Sequence, residues 1–302
     1  MDKRLVVVTG KGGVGKSTVA LALGIKAAEQ GRRTIVCEVA SQERISQAFR
    51  GANVGFVETE LQENLFAISI DPDEAMREYV LLSLRVKAMR DLLFRSKLFT
   101  YLAAATPGLR ELVTIGKVWE LALDQRKVKS GKPYDLVILD APATGHGVGF
   151  LQTPKTFANV ARVGPIATQA ETLNKFLTNH RKTGVAIVAL PEEMPVNETA
   201  SLERDLTRTV NVAVDRIFMN GLYPDRFSPA DEKALAASSK TVSGSAGDAI
   251  AAALAVSRRS ASQRDQLTRL ESITRAPVTT LPFLFKPELG VDELRELVEV
   301  IP

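Results

Sequence analysis

A glycine-rich segment near the amino terminus carries residue types that bind phosphate groups. From Gly10 to Thr18 it reads GKGGVGKST, which satisfies the pattern G-x-x-x-x-G-K-[ST]. In such a loop the backbone N–H groups wrap the phosphates, the lysine reaches the β and γ oxygens, and the hydroxyl that follows coordinates Mg²⁺. The residues predicted to contact phosphate are Gly12, Gly13, Val14, Gly15, Lys16, Ser17 and Thr18.

The same glycines also fit a second pattern. Gly10, Gly12 and Gly15 satisfy the dinucleotide-binding order G-x-G-x-x-G. Glu38 ends the next predicted strand, where an acid that binds a ribose would lie. The lysine–serine pair at the end of the loop decides between the two patterns, because a dinucleotide-binding turn has no need of a cation and a hydroxyl there. We therefore interpret the segment as a P-loop.

The elements that must position this loop alternate along the chain. Most of the predicted strands are continuous apolar runs, which are typical of strands buried on both faces of a parallel sheet. Helical stretches between them supply the crossovers. The predicted fold class is α/β: a P-loop NTPase with a mostly parallel, doubly wound sheet and a helical insertion subdomain. The predicted strands are Arg4–Thr9, Arg33–Val39, Leu65–Ile70, Asp135–Asp140, Gly184–Leu190, Val214–Asn220 and Pro277–Leu281.

Three stretches are too long for minimal crossovers. They lie at about 72–130, 152–180 and 222–275, and they are mostly helical in pattern. The sequence contains no internal repeat. The simplest description is a single P-loop ATPase domain over residues 1–302 that carries these three helical insertions.

The amino-acid composition excludes several classes of protein. The chain has 302 residues, of which 45% are hydrophobic, and this fraction excludes a disordered protein. Cys37 is its single cysteine, so neither a disulfide framework nor a zinc site built from cysteines is expected. A formal net charge of +4 is small for this length, and no nucleic acid partner is expected. The longest apolar run, Ala249–Val256, is too short to span a membrane. We predict a cytoplasmic protein.

Two further residues have the chemistry of a nucleotide switch. Leu136–Asp140 is a predicted apolar strand that ends in a carboxylate. When a P-loop lies upstream in the sequence, such an acid holds the water shell of the magnesium ion. Lys11 occupies the second position of the P-loop. From there it points away from its own phosphates and can reach a nucleotide across a dimer interface, as an arginine finger does. The alternative is a solvated loop lysine.

The motifs taken together resemble those of one family. DAPATGH at 140–146, the sequence Phe150-Leu151-Gln152, and the lysines of the P-loop are similar to those of the ArsA/Get group. This group comprises arsenite-pump ATPases and tail-anchored-protein-targeting ATPases, within the deviant-Walker superclass that also holds the MinD and ParA proteins. Residues 38–49 look most like an actinobacterial branch of paired ATPases. Further matches are Thr106–Glu111, Pro191–Glu192, Glu198–Thr199, Met219–Asn220 and Leu281–Pro282.

The resemblance implies roles for individual residues, with ATP and Mg²⁺ as the ligands. Asp140 would lie in switch II and serve the metal together with the P-loop serine. Asn220 would read the adenine, Pro282 would flank its ring, and Glu192 would contact the nucleotide across the dimer. Lys11 would reach the partner's site. Simpler roles stay open: Asn220 can terminate a strand, and Glu192 can be a solvated acid.

Switch I departs from the family pattern. Members of the family carry Asp-Pro-Ala-His there, and the aspartate activates the attacking water. The corresponding strand end here begins with Glu38, and the loop after it is about two residues longer. The extra methylene moves the carboxylate by about an ångström, which can cost of order 10²-fold in rate. Glu38 is therefore either a catalytic base or a structural or magnesium-shell acid. The cysteines that bind arsenite are absent, so an arsenite-pump role is not expected.

The first insertion contains an amphipathic stretch. Within Val80–Leu102, the residues Leu82, Val86, Met89 and Leu93 recur at helical spacing. In targeting ATPases this region helps to build a groove for a hydrophobic client helix. The alternative is a lid that packs on the protein's own core. Basic residues in the same stretch would also suit a membrane surface or an acidic partner.

The function predicted from these features is a dimeric ATP-binding and hydrolysing switch, with slow turnover. Its nucleotide state would control the handling of a hydrophobic protein client or a membrane-associated partner. The dimer would be a homodimer or a heterodimer with a paralogous ATPase, held without zinc. The alternative function is a regulatory subunit that binds nucleotide, hydrolyses little of it and acts with a paralogous ATPase. A MinD-like or ParA-like surface-patterning ATPase is a third, weaker interpretation.

Overall fold

A computed structural model describes residues 3–39, 44–83, 106–128, 131–142, 144–161, 164–286 and 288–302, without the side chains of 144–146 and 165. Within this part of the chain, eight strands form one sheet. The strands are β1 (Leu5–Gly10), β2 (Thr34–Val39), β3 (Thr59–Gln62), β4 (Leu65–Ile70), β5 (Leu136–Asp140), β6 (Thr183–Ala189), β7 (Val214–Leu222) and β8 (Val278–Pro282).

The sheet order is β3-β4-β2-β5-β1-β6-β7-β8. Every neighbouring pair is parallel except β3 and β4, which are antiparallel. The prediction of a mostly parallel α/β sheet is confirmed, and all seven predicted strands are present with ends that differ by at most one or two residues. The sequence analysis missed β3. This strand is short and polar, so it has neither the apolar run nor the alternation by which strands are recognised.

Helices cover both faces of the sheet. They are α1 (Lys16–Glu29), α2 (Arg44–Ala48), α3 (Pro72–Ser83), α4 (Leu109–Leu121), α5 (Thr144–Val160), α6 (Pro165–Leu177), α7 (Glu193–Asp205), α8 (Pro229–Ser238), α9 (Gly244–Ile273) and α10 (Val291–Val300). A π-helical turn at Leu206–Val210 follows α7. No helix within the described ranges is both long enough and apolar enough to cross a membrane.

The central strand β1 separates two hydrophobic cores. Val6 and Val8 face the core that α1 and α10 close, whereas Val7 faces the core under α4, α6 and α7. Successive side chains of a strand point to opposite faces, so a continuous apolar run is required where both faces are covered. The P-loop therefore follows a strand that is held firmly on both sides.

The described helices of the first long insertion are α3 and α4. Val86, Met89 and Leu93, which carry most of the predicted amphipathic stripe, lie outside the described residues. The division into one domain with three helical insertions stays a prediction.

A buried ion cluster joins the end of α4 to the strand edge. The Arg126 side chain, which is 1% exposed, bonds Glu58 at 2.7 Å and Glu120 at 2.9 Å. The Tyr134 hydroxyl also donates to Glu58, at 2.7 Å. Lys117 pairs with Glu78 at 2.7 Å on the other side of Glu120. Hydrogen bonds from Arg126 and Tyr134 outweigh burial and hold the pKa of the Glu58 carboxyl below its usual range.

We expect Arg126→Ala to lower the free energy of unfolding by about 3–5 kcal/mol, because it removes the cation that pairs with the buried Glu120 carboxylate and the partly buried Glu58 carboxylate. Thermal or urea unfolding followed by circular dichroism measures this. Arg110 is the matched control, since its ion pair with Asp73 is largely exposed, and Arg110→Ala should cost about 1 kcal/mol or less. Equal effects of the two substitutions would contradict a structural role for the buried cluster.

Candidate functional site

The P-loop connects β1 to α1 in a conformation that needs glycine. Gly15 directly precedes α1 and has a φ of 94°, in the left-handed region. A Cβ atom at this position would lie 2.3 Å from Nδ2 of Asn220. A side chain is therefore excluded by the backbone conformation and by the neighbouring amide. The arrangement leaves the N–H groups at the start of α1 free of side-chain caps, as binding of an anion at a helix N-terminus requires.

Lys16 is the first residue of α1 and is only 5% exposed. Its ammonium donates to the carbonyl oxygen of Lys11 at 2.8 Å, so the lysine closes the loop on itself. Burial lowers the pKa of the Lys16 ammonium. The negative charge of Asp140 opposes this shift, and the positive charge of Arg44 adds to it. Oxygen atoms of a phosphate would supply the negative charge that this buried cation lacks.

Ser17 and Asp140 are in direct contact. The Ser17 hydroxyl donates a hydrogen bond to Oδ2 of Asp140. The other oxygen, Oδ1, is buried and has no hydrogen-bond partner among the described residues. Burial raises the pKa of the Asp140 carboxyl, and the Ser17 hydroxyl and the Lys16 ammonium oppose that rise.

A second carboxylate lies beside Asp140. In the register of β2 and β5, Glu38 is directly opposite Asp140, and it is 1% exposed. Its Oε2 accepts the backbone N–H of Ile45 at 3.4 Å. Its Oε1 is buried without a hydrogen-bond partner in the described part of the chain. Two carboxylates are thus buried at the same edge of the sheet, each with an oxygen that is free to take a ligand.

This set of donors suits a hard cation. Ser17, Asp140 and Glu38 offer only oxygen atoms, which Mg²⁺ prefers, and Mg²⁺ usually keeps several waters when it binds one or two carboxylates together with phosphates. The unpartnered Oδ1 of Asp140 is an atom that such a hydrated ion would satisfy, and Oε1 of Glu38 is free to accept a proton or a water of the ion's shell.

Arg44 also reaches this cluster, although the sequence analysis did not single it out. It begins α2, and its Nη1 atom donates to the Ser17 hydroxyl oxygen at 3.0 Å. No sequence signal identifies such a residue, because its role depends on where the loop before it places a long side chain.

Lys11 extends from the P-loop to α7 of its own chain. Its ammonium lies 2.9 Å from Oε1 of Glu198 and 3.1 Å from the sulfur of Met194. Both Lys11 and Glu198 are more than a third exposed. Glu192 directly precedes the same helix and is exposed. The predicted cross-dimer residues therefore share one surface beside the loop.

Asn220 lies near the end of β7, and Pro282 lies at the end of β8. The Asn220 amide donates to the carbonyl oxygen of Val14 at 2.9 Å, which ties the end of β7 to the P-loop. Pro282 ends β8 and is paired with Leu222. Phe283 follows it and packs against Tyr223 with the ring centroids 4.8 Å apart. The two residues predicted to contact adenine are therefore at the ends of adjacent strands.

Comparison with known proteins decides the family. Residues 3–164 and 160–242 match the family model described as anion-transporting ATPase. The chain belongs to the ArsA ATPase family. The resemblance drawn from the motifs is confirmed, and the eight-stranded sheet agrees with the P-loop NTPase fold of this family.

Three relatives illustrate the range of the ArsA family. ATPase BagA of Mycobacterium tuberculosis is 31% identical over 239 residues, which cover 76% of this chain and 68% of that protein. ATPase ASNA1 homolog 1 of Paramecium tetraurelia is 27% identical over 259 residues, or 73% and 75% of the two chains. ATPase GET3 of Chaetomium globosum is 28% identical over 213 residues, or 69% and 58%. Similarity to named ATPases extends across bacteria and eukaryotes.

We expect Asp140→Asn to stabilise the nucleotide-free protein by about 0.5–2 kcal/mol, the usual gain when a functional site loses a costly group. The pKa of Asp140 is raised in the folded state, so the charged form opposes folding at neutral pH. This penalty develops as the pH rises from the usual pKa of an aspartate to the raised pKa, and it is constant above that pKa. The neutral amide removes it. Unfolding in urea at pH 7 measures the change.

The control is Asp124→Asn, because Asp124 is 81% exposed in its pair with Arg4. Its effect should stay within about 0.5 kcal/mol. If Asp140→Asn destabilised the protein more than the control, Asp140 would be a structural residue and not one held for a ligand.

Proposed function

We propose that this chain is a Mg²⁺-dependent ATPase that works as a dimeric switch and controls the handling of a protein or membrane client. The contact of Ser17 with the buried Asp140, beside Lys16 at the start of α1, carries the proposal. It combines a phosphate-binding helix terminus, a buried cation and carboxylate oxygens without partners. Membership in a family of ATPases supports the same reaction.

Nucleotide binding would use both sides of the P-loop. The backbone of residues 12–18 and the Lys16 ammonium would hold the phosphates. Asn220 already contacts the loop, at Val14, and its amide would read the adenine edge. Pro282, at the end of the neighbouring strand, would flank the ring. Glu192 would contact the nucleotide from the other subunit.

Ser17 and Asp140 would hold the magnesium ion, Ser17 through its hydroxyl oxygen and Asp140 through the ion's water shell. Bound there, Mg²⁺ supplies positive charge that neutralises the phosphoryl oxygens. The unpartnered Oδ1 of Asp140 supports this assignment.

Glu38 would act as the general base. In hydrolysis the water oxygen bonds to the γ-phosphorus while the bond from phosphorus to the β–γ bridging oxygen breaks. The electron pair of that bond stays on ADP, and Glu38 takes the water's proton. The buried Oε1 without a partner is the atom available for this transfer. The extra methylene of Glu38, compared with the aspartate of the family, would make turnover slow.

Lys11 would connect the chemistry to dimer formation. Its ammonium is paired with Glu198 on the surface of its own chain. An exposed ion pair of this kind is weak, about 1 kcal/mol or less, so a phosphate group from a second subunit would displace Glu198. ATP would thereby favour the closed dimer, and hydrolysis would release it.

An apolar cavity supports the handling of a client. It has a volume of about 650 Å³ and lies between α3, α4 and α6. Leu82 and Ile166 on its walls are more than 40% exposed. Apolar side chains dominate the lining, among them Met76, Tyr79, Leu112, Trp119 and Leu173. A hydrophobic segment of a client would cover these exposed side chains.

One observation favours the second candidate, a regulatory subunit that hydrolyses little ATP. Oε2 of Glu38 is held by the backbone of α2, at Ile45. If that contact persists with nucleotide bound, Glu38 is a structural acid, and a paralogous ATPase would supply the active base.

Steady-state ATP hydrolysis by the purified protein with Mg²⁺ tests the proposal. We expect slow turnover that Lys16→Ala and Glu38→Gln both abolish, because the first loses the phosphate cation and the second loses the proton acceptor. ATP binding should survive in Glu38→Gln. Binding without turnover in the wild type would favour the regulatory subunit, and absence of ATP binding would refute both candidates.

A comparison of Lys11→Ala with Lys16→Ala tests the dimeric switch. Lys16→Ala should abolish nucleotide binding by the monomer. Lys11→Ala should leave monomer binding within about threefold while lowering turnover by about 10³-fold, the low end for a charge supplied in trans. Sedimentation velocity with ATP should show dimer for the wild type and monomer for Lys11→Ala. Equal loss of binding in both variants would refute a role of Lys11 across the interface.

A further inference from the structure

Arg44 is a cation within the site that no motif of the P-loop or of the strand ends accounts for. Its Nη1 atom donates to the Ser17 hydroxyl oxygen at 3.0 Å. Ser17 in turn donates to Asp140. The guanidinium therefore contacts the serine oxygen that would bind the metal ion.

Arg44 is the second cation beside Ser17. The first is Lys16, which directly precedes the serine at the start of α1 and is buried. A guanidinium keeps its charge at any working pH. The site thus holds two cations and two carboxylates around one serine, so it suits a nucleotide that arrives with its metal ion.

A cavity leads from Arg44 along the P-loop. It has a volume of about 660 Å³ and is lined by Gly13, Ser17 and Thr18 on one side and by Arg44 and Arg50 on the other. Ligand sites usually have volumes of about 300–1,000 Å³. The Arg44 side chain is exposed to this space and not packed into the core, so it is free to follow a ligand.

We propose that Arg44 binds the terminal phosphate of ATP from within the same chain. A divalent cation and a guanidinium repel each other, so they do not share the Ser17 oxygen. When the nucleotide and its metal bind, Arg44 moves from Ser17 to the γ-phosphate. Its planar donors hold two oxygens of that group at once. Arg44 forms no covalent bond. It distinguishes ATP from ADP and stabilises the charge of the γ-phosphoryl group during transfer.

This inference rests on the proposed function, since it requires ATP at the P-loop. It differs from the role proposed for Lys11, which acts in a second subunit. Arg44 acts in its own subunit, and its effect on affinity is present in the monomer.

The affinities of the full chain for ATP and ADP, measured by calorimetry with Mg²⁺, test the proposal. We expect Arg44→Ala to weaken the affinity for ATP by about 10–100-fold, the range for one charged hydrogen-bonding group. The affinity for ADP should change by less than about threefold, because ADP lacks the γ-phosphate. Arg44→Lys should recover most of the ATP affinity but not the turnover, because an ammonium keeps the charge and loses the two-pronged geometry.

Arg50→Ala is the matched control. Arg50 lines the same cavity, but its side chain is 81% exposed and pairs with Glu288. The Arg50→Ala substitution removes the same charge as Arg44→Ala, and it should change the affinities for ATP and ADP equally. Circular dichroism melts of all variants check that they are folded.

Two results would overturn the proposal. If Arg44→Ala weakened the affinities for ATP and ADP equally, Arg44 would only shape the loop. Tighter ATP binding or faster turnover in that variant would mean that Arg44 blocks the metal position. Failure of the wild type to bind either nucleotide would instead refute the proposed function itself.

Discussion

The burial of charge at one edge of the sheet is the constraint on which the site depends. Lys16, Glu38 and Asp140 are 5%, 1% and 3% exposed, and burying charged groups is costly unless they are paired. Their pairing here is partial, because each carboxylate keeps one oxygen without a partner among the described residues. The parallel order of β2, β5 and β1 brings these groups together at the carboxyl ends of the strands, where ligands of open α/β sheets bind.

The same loop is the meeting point of three other elements. Arg44 links it to α2 through Ser17, Asn220 links it to β7 through Val14, and Lys11 links it to α7 through Glu198. Each link is a polar contact between the loop and a side chain of another element. A ligand that competes for these contacts would therefore change the partners of three elements at once, as the proposed nucleotide switch requires.

The sequence predicted most of the fold because buried parallel strands have a strong signal. All seven apolar runs are strands, whereas the polar edge strand Thr59–Gln62 was missed. The P-loop was predicted because its glycines, lysine and serine are close in sequence. The Arg126–Glu58 ion cluster and the contact of Arg44 with Ser17 were not predicted, because they join residues far apart in sequence through long side chains. Such contacts follow from the tertiary structure and leave no local pattern.

The central claim is that the unsatisfied carboxylate oxygens beside the P-loop exist to receive a metal-bound nucleotide. Calorimetric titration of ATP into the purified protein, with Mg²⁺ and with Mg²⁺ removed by EDTA, tests it most directly. The account predicts binding with Mg²⁺ and a loss of affinity of at least about tenfold without it, because ATP alone adds negative charge beside two buried carboxylates. Equal affinity under both conditions, or no binding in either, would contradict the account.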